Sequence, residues 1–227
     1  LALIGHKFTA VGEKGGILPD LSDSDNQSRK GASCQRFGLP DAELWLWPHW
    51  LDRQRSSAVL LTLQQELAWQ QPELRLFGKT VSIPRQQVWM GDPHCSYRYS
   101  GVTFVPDPWH PLVKKLTGWV NQQLNRQFNC VLLNLYQNGG EHMGWHSDDE
   151  PELGLAPDIA SLSLGQARRF DLKHKRLQHQ LNLVLQDGDL LLMQAPCQEH
   201  WLHRVPKQAQ ASAARLNLTF RYIKKPL

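Results

Sequence analysis

Downstream of Asn129 the apolar residues come in short runs, at 130–137, 159–164, 168–173, 179–185, 189–194, 200–205 and 213–223, separated by Gly, Pro and polar breaks. Runs of that length read as strands, and seven of them predict a double-sheet β-fold. Asp187-Gly188 is a tight-turn signal between two of the runs. Upstream the period lengthens. Residues 56–69 begin with Ser56, an N-cap candidate, and continue in good helix formers up to Pro72. A second helix over about 109–127 sets Leu112, Leu116, Val120 and Leu124 on one stripe, with Pro111 tolerated in its first turn. Residues 44–51 form an apolar entry segment. Residues 1–40, with Gly15-Gly16 and the polar run Ser22-Asp23-Ser24-Asp25-Asn26, read as a flexible arm. The expected organisation is an arm over 1–40 and one domain over 41–227, its β core at about 129–223.

Length and composition fit this picture, since 227 residues suit a single mixed or all-β domain. Nine tryptophans are many for that length, and they offer flat stacking surface as well as core volume. Basic residues exceed acidic ones by 25 to 21, a net charge of +4 that permits a polyanionic partner without requiring one. The four cysteines show no C-x-x-C pairing, so reduced thiols in an intracellular protein are expected and a zinc finger is not. With no apolar run near eighteen residues and no signal-peptide order, the expectation is a soluble, cytoplasmic protein, nuclear if eukaryotic, without a membrane partner. The chain opens on Leu1, which suggests trimming or a start inside a longer natural chain.

The chemistry concentrates late in the chain. On an extended strand, residues two apart face one way, so Trp145-His146-Ser147-Asp148 would aim an imidazole and a carboxylate at a common point, and His203 would close a triad. Two histidines and one carboxylate with open coordination positions suit a non-haem Fe(II) oxygenase better than a closed structural site. Zinc hydrolysis stays open on those ligands alone. In 215–221, Arg215, Asn217, Thr219 and Arg221 share one strand face and Leu216, Leu218 and Phe220 the other. If the polar face lines the metal pocket, two inward guanidiniums need anionic partners, and a small dicarboxylate such as 2-oxoglutarate supplies them. Asn134 and Tyr136, also two apart, share a face in the same way.

Residues 134–221 resemble an AlkB-type Fe(II)/2-oxoglutarate dioxygenase. The resemblance rests on Asn134-Leu135-Tyr136, His146-Ser147-Asp148-Asp149-Glu150, Ile159-Ala160-Ser161-Leu162-Ser163-Leu164-Gly165, His203 and Arg215-Leu216-Asn217-Leu218-Thr219-Phe220-Arg221. Upstream, Phe77-Gly78-Lys79, Ile83-Pro84-Arg85, Tyr97-Arg98-Tyr99-Ser100-Gly101 and Pro108-Trp109 resemble the substrate-recognition lid of the DNA-repair members, closest to those acting on duplexes. The likeness covers roughly 42–223. It implies an α+β, mainly β fold: a double-stranded β-helix, or jelly roll, with buttressing helices and a nucleotide-recognition lid at about 72–105.

Roles follow from the same resemblance. His146, Asp148 and His203 would hold Fe(II), with 2-oxoglutarate and dioxygen as cosubstrates. Arg215 would take the distal carboxylate of 2-oxoglutarate, helped by Asn134 and Tyr136, with Asn217, Thr219 and Arg221 completing the pocket. Tyr97 and Tyr99, otherwise an ordinary strand pair, would stack on a flipped base, Arg98 lying between them. Phe77-Gly78 would be a wedge filling the gap it leaves, and Lys79 and Arg85 would lie near phosphates. Asp149 and Glu150, on composition alone solvated loop carboxylates, would contact the damaged base and favour its cationic form. The run Lys173-His174-Lys175-Arg176 reads as a solvated hairpin face that could meet the complementary strand.

The implied activity is oxidative demethylation of 1-methyladenine and 3-methylcytosine, with etheno adducts plausible, in alkylated nucleic acid, DNA before RNA, by a monomer. Its rivals are an RNA demethylase or a protein or small-molecule hydroxylase on the same iron core, and a non-catalytic modified-base binding module.

Overall fold

The computed structural model describes residues 33–76, 79–95, 97–99 and 102–224. Strands β1 (Gln35–Leu39) and β2 (Ala42–Trp47) pair antiparallel around Asp41, which takes a left-handed conformation at φ 55°. Sheet therefore begins at residue 35, inside the span expected to be a flexible arm. The apolar segment 44–51 is strand in its first half, where side chains alternate: Leu44 and Leu46 enter one core while Trp45 and Trp47 pack against another.

Helix α1 (Arg53–Glu66) starts three residues before the expected cap. Asp52 caps it, its carboxylate accepting the Arg55 N–H at 3.0 Å, whereas Ser56 lies inside the helix and donates its hydroxyl to Asp187. The helix stops where Leu67 turns extended, short of Pro72. Two small hairpins follow, β3 (Glu73–Leu76) with β4 (Lys79–Ser82), and, beyond β5 (Gln86–Gly91), β6 (Tyr97–Tyr99) with β7 (Val102–Phe104). They occupy the span expected for the lid. Helix α2 (Pro111–Leu124) has Pro in its first turn and ends on left-handed Asn125, and the expected stripe Leu112, Leu116, Val120 and Leu124 is buried throughout.

The remaining strands are β8 (Cys130–Tyr136), β9 (Met143–His146), β10 (Ile159–Gly165), β11 (Arg168–His174), β12 (Gln180–Leu185), β13 (Leu190–Gln194), β14 (Trp201–Val205), preceded by the one-turn helix α3 (Cys197–His200), and β15 (Arg215–Arg221). They make a seven-stranded sheet in the order β1-β2-β13-β10-β15-β8-β5 and a four-stranded sheet in the order β12-β11-β14-β9. The Asp187-Gly188 turn joins β12 of the small sheet to β13 of the large one, so it crosses between sheets instead of closing a hairpin. Gly188 sits at φ 82°, and a Cβ there would lie 1.9 Å from the Leu51 carbonyl oxygen, which leaves glycine as the residue that fits.

The large sheet has two unlike faces, and strand alternation sorts them. Val131, Leu133 and Leu135 of β8, Leu190 and Leu192 of β13, and Leu216, Leu218 and Phe220 of β15 pack with α1 and α2 into one core. The opposite face meets the small sheet around Leu44, Leu172, Leu191, Met193 and Trp201. This is the mainly β jelly-roll arrangement, with helices buttressing one sheet and the interior between the sheets open to a pocket. Among the described residues, no helix is long and apolar enough to cross a membrane.

Candidate metal centre and cosubstrate pocket

The site is built first by strand pairing. His146 ends β9 and His203 lies in the middle of β14, and the two are cross-strand partners with ring centroids 4.2 Å apart. Asp148 completes the group, all three ligand atoms lying within 4.8 Å of one another. The sequence expectation that a continuous strand aligns His146 with Asp148 is corrected here, because β9 stops at His146 and Asp148 lies in the loop beyond. Its carboxylate is brought inward by Arg221 at the end of β15, which donates to Oδ1. Its backbone N–H donates to Oε1 of Gln198 at 3.0 Å. Oδ2 stands 3.7 Å from Nε2 of His203.

Proton placement suits metal binding. His146 Nδ1 lies 2.9 Å from the Gly144 carbonyl, which can only accept, so the proton sits on Nδ1 and Nε2 keeps its lone pair. Burial, and secondarily His146 close by, pushes His203 down to about 3, so its ring is neutral and has a lone pair to give. Burial alone would raise the Asp148 carboxyl, but the Arg221 guanidinium, by its charge and its hydrogen bond, outweighs it and holds the group below the usual carboxylate range. The donor set is thus two imidazoles and one carboxylate on one side, the facial arrangement that fits Fe(II).

The wall beside it is the polar face of the large sheet. β15 lies between β8 and β10, so Arg215 stands opposite Tyr136 and Gly165, Asn217 opposite Asn134 and Ser163, and Thr219 opposite Leu132 and Ser161. Asn134, Tyr136, Asn217, Thr219 and Arg221 line a pocket with the three ligands, enclosing about 440 Å³ with its mouth. Arg215 donates from Nη2 to Ser163 Oγ at 2.9 Å, and its guanidinium carbon lies 5.4 Å from the Tyr136 ring centroid. Its Nε and Nη1 are buried with no hydrogen-bond partner among the described residues. Burial pushes Arg215 down to about 10, still far above neutrality, so a full charge faces inward with donors to spare. Burying unsatisfied donors is costly, and a carboxylate would relieve that cost, which fits 2-oxoglutarate to this wall.

Other expected residues fall differently. Arg85 is 3% exposed and donates from Nε to Asn134 Oδ1 at 2.7 Å, so it braces the cosubstrate wall and is not presented to phosphates. Asp149 is exposed, bonded by the Ser147 hydroxyl at 2.8 Å and 3.4 Å from Lys175 Nζ. Glu150 lies 3.8 Å from Arg221. Phe77 and Gly78 lie outside the described residues. Lys79 opens β4, and Tyr97, Arg98 and Tyr99 make up β6, placed here by their backbones alone. The basic run is not one solvated face: Lys173 caps the Trp145 ring at 4.5 Å, His174 is buried, and Lys175 donates to the Gln198 carbonyl at 2.9 Å.

Sequence reasoning missed Ser161, Ser163, Arg168 and Gln198. The serines, two apart within an otherwise apolar strand, carried a signal, since Asn217 donates to Ser161 Oγ at 2.7 Å just as Arg215 does to Ser163. Arg168 donates to the carbonyls of Asn138, Glu141 and Pro206 at 2.8–3.1 Å and joins the loops flanking the pocket. A second geometric triad, Asp41, His174 and His200, lies away from the pocket, between the β1–β2 turn, the end of β11 and the end of α3.

A family model described as the 2OG-Fe(II) oxygenase superfamily matches residues 43–221. The chain is 36% identical over 188 residues to human alpha-ketoglutarate-dependent dioxygenase alkB homolog 3, covering 78% of this chain and 65% of that protein. It is 36% identical over 225 residues to mouse DNA oxidative demethylase ALKBH2, covering 92% and 88%. It is 40% identical to bovine DNA oxidative demethylase ALKBH2 over 158 residues, 66% of this chain and 57% of that one. The chain thus spans less than two thirds of the human and bovine relatives and most of the mouse one. The solved structure reported as "The structure of OsALKBH1" superposes with TM-score 0.60 at 16% identity, covering 83% of this chain and 99% of that chain, a likeness of fold.

Proposed function

We propose, from the premise that this chain belongs to the 2OG-Fe(II) oxygenase superfamily and to its AlkB-type members, that it removes N-alkyl groups oxidatively from bases in DNA. The bases are 1-methyladenine and 3-methylcytosine, with etheno adducts a further class. The observation that carries the reading is that the His146, Asp148 and His203 donors share a pocket with Tyr136, against whose ring the under-satisfied guanidinium of Arg215 lies buried at 5.4 Å. When bound, Fe(II) with 2-oxoglutarate and dioxygen supplies hydroxylation of the N-methyl carbon, which then leaves as formaldehyde.

The chain's own residues have narrower roles. His146 and His203 offer lone pairs fixed by tautomer and burial, and Asp148 offers a carboxylate kept ionised by Arg221. Arg215, braced by Ser163, would take the carboxylate of 2-oxoglutarate, and Arg85 holds Asn134 in place on the same wall. Asp149 and Glu150 follow the metal ligand directly in sequence, and negative charge there would prefer a cationic N-methylated base to its neutral parent. That preference gives a physical reason for acting on damaged and not on normal bases.

DNA as the polymer is supported by the mouse relative, a DNA oxidative demethylase by name. The test is a panel of oligonucleotides carrying 1-methyladenine or 3-methylcytosine, as single-stranded DNA, duplex DNA and RNA, read by formaldehyde release with and without 2-oxoglutarate. Release from methylated DNA that requires 2-oxoglutarate is expected. Turnover coupled only to RNA, or only to a protein or small-molecule acceptor, would overturn the DNA reading, and tight binding of methylated strands without turnover would replace it with a binding module.

A further inference from the structure

We infer that Gln198 is a positioning residue for the metal carboxylate, holding the main chain of Asp148 where no strand does. The inference rests on the reading of Asp148 as an iron ligand. β9 ends at His146, so the loop that carries Asp148 is outside any β-ladder. A side chain fifty positions later stands in for the missing ladder, since Gln198, 0% exposed on helix α3, accepts the Asp148 N–H at 3.0 Å through Oε1. Its Nε2 points at the Met193 sulfur at 3.6 Å, and Met193 lines the pocket. Its carbonyl accepts Lys175 Nζ at 2.9 Å, and the same ammonium lies 3.4 Å from Asp149. One residue therefore joins the metal-carboxylate loop to the pocket wall, five positions before the ligand His203.

The side-chain type matters as much as the contact. A buried main-chain N–H needs an acceptor, and a neutral amide supplies one without setting a second negative charge beside Asp148. Arg221 bonds the carboxylate itself and fixes its ionisation, while Gln198 fixes the backbone from which it hangs. Such outer partners commonly govern metal affinity by about ten- to a hundredfold.

The test uses the metal-free full chain titrated with Co(II), read by its visible d–d bands, with uptake by His203→Ala as baseline. Gln198→Met keeps the volume and removes the amide. It is expected to weaken Co(II) binding about ten- to a hundredfold and to alter the band shape. Hydrogen exchange at the Asp148 amide should speed up in the same variant. Gln198→Glu, which restores an acceptor oxygen, should recover the amide protection. If Gln198→Met does not fold, Gln198→Asn, one methylene too short to reach, carries the same readouts. Wild-type Co(II) affinity and an unchanged Asp148 amide in these variants would overturn the inference alone. A wild-type chain that takes up no more Co(II) than His203→Ala would overturn the metal assignment and the inference with it.

Discussion

Two groups of two histidines and one aspartate each bring their ligand atoms within 4.8 Å, yet only one has the protons in the right places. In the pocket, His146 commits its Nδ1 proton to a carbonyl and leaves Nε2 bare, and burial keeps His203 neutral. Outside it, His174 Nδ1 accepts the N–H groups of Arg176 at 3.1 Å and Leu177 at 2.8 Å. Its remaining proton is then on Nε2, which faces Asp41 at 3.3 Å. A metal would need the lone pair that this proton occupies, so the Asp41 group is a latch and not a centre. It ties the β1–β2 turn to the chain following β11, beside Trp201, whose indole donates to the Pro40 carbonyl at 2.8 Å. Ligand spacing finds both groups, and the tautomer separates them.

The sharpest way to break that comparison is to exchange the damage. Asp148→Ala or His203→Ala should abolish both iron retention and formaldehyde release, because the site has only three protein donors. His174→Ala should keep both. Metal analysis of the purified variants beside a turnover assay decides it, and loss of iron in His174→Ala comparable to that in His203→Ala would make the latch a metal site after all.

A second contrast lies inside the pocket wall, where two buried arginines flank Tyr136, with guanidinium carbons 5.7 Å from its ring for Arg168 and 5.4 Å for Arg215. Both Nη atoms of Arg168 are satisfied by carbonyls and its Nε alone has no partner, whereas Arg215 leaves both Nη1 and Nε without one among the described residues. The first is built for structure and the second for a ligand. Arg215→Ala should weaken 2-oxoglutarate by about 1.5–3 kcal/mol, the usual loss of a hydrogen bond to a charged group, while the melting temperature changes little. Arg168→Met should do the reverse, losing about 2–4 kcal/mol of stability as buried carbonyls lose their donors, with a smaller change in 2-oxoglutarate affinity. Calorimetric 2-oxoglutarate binding and thermal melts on both variants separate the roles, and matching profiles would erase the distinction.

How far these features are legible in the chain depends on the distance over which each is enforced. Strands β8, β10 to β13 and β15 emerge within a residue or two of their expected limits because burial imposes a pattern on each locally. β9 is absent from the strand pattern, since Met143-Gly144-Trp145-His146 has neither an apolar run nor a clean alternation. The polar face of β15 can be read because that strand is regular for seven residues. Asp148 is singled out by a strand argument that fails, as the strand meant to aim it ends two residues earlier. Arg85 resembles a phosphate contact because nothing nearby in sequence shows Asn134, its partner 49 positions away. Gln198 gives no local signal at all, sitting in a one-turn helix and acting on a backbone group fifty positions away.

The smallest expected effect tests the latch itself. His174→Leu keeps a buried side chain of similar bulk but removes the acceptor for two main-chain N–H groups and the donor to Asp41. Each net hydrogen bond is worth about 0.5–1.5 kcal/mol, and the N–H groups lie where the chain returns toward solvent, so water recovers part of the loss. A destabilisation of about 1–2 kcal/mol follows, or roughly 2–8 °C in melting temperature for a domain of this size. Iron content and the 2-oxoglutarate requirement should not move, because the latch shares no side chain with the pocket. Hydrogen exchange gives the local reading: protection should fall at the Arg176 and Leu177 amides and persist at His146 and His203. Unchanged protection at Arg176 and Leu177 would show that His174 does not accept from them, which would free its tautomer and reopen the Asp41 group to metal.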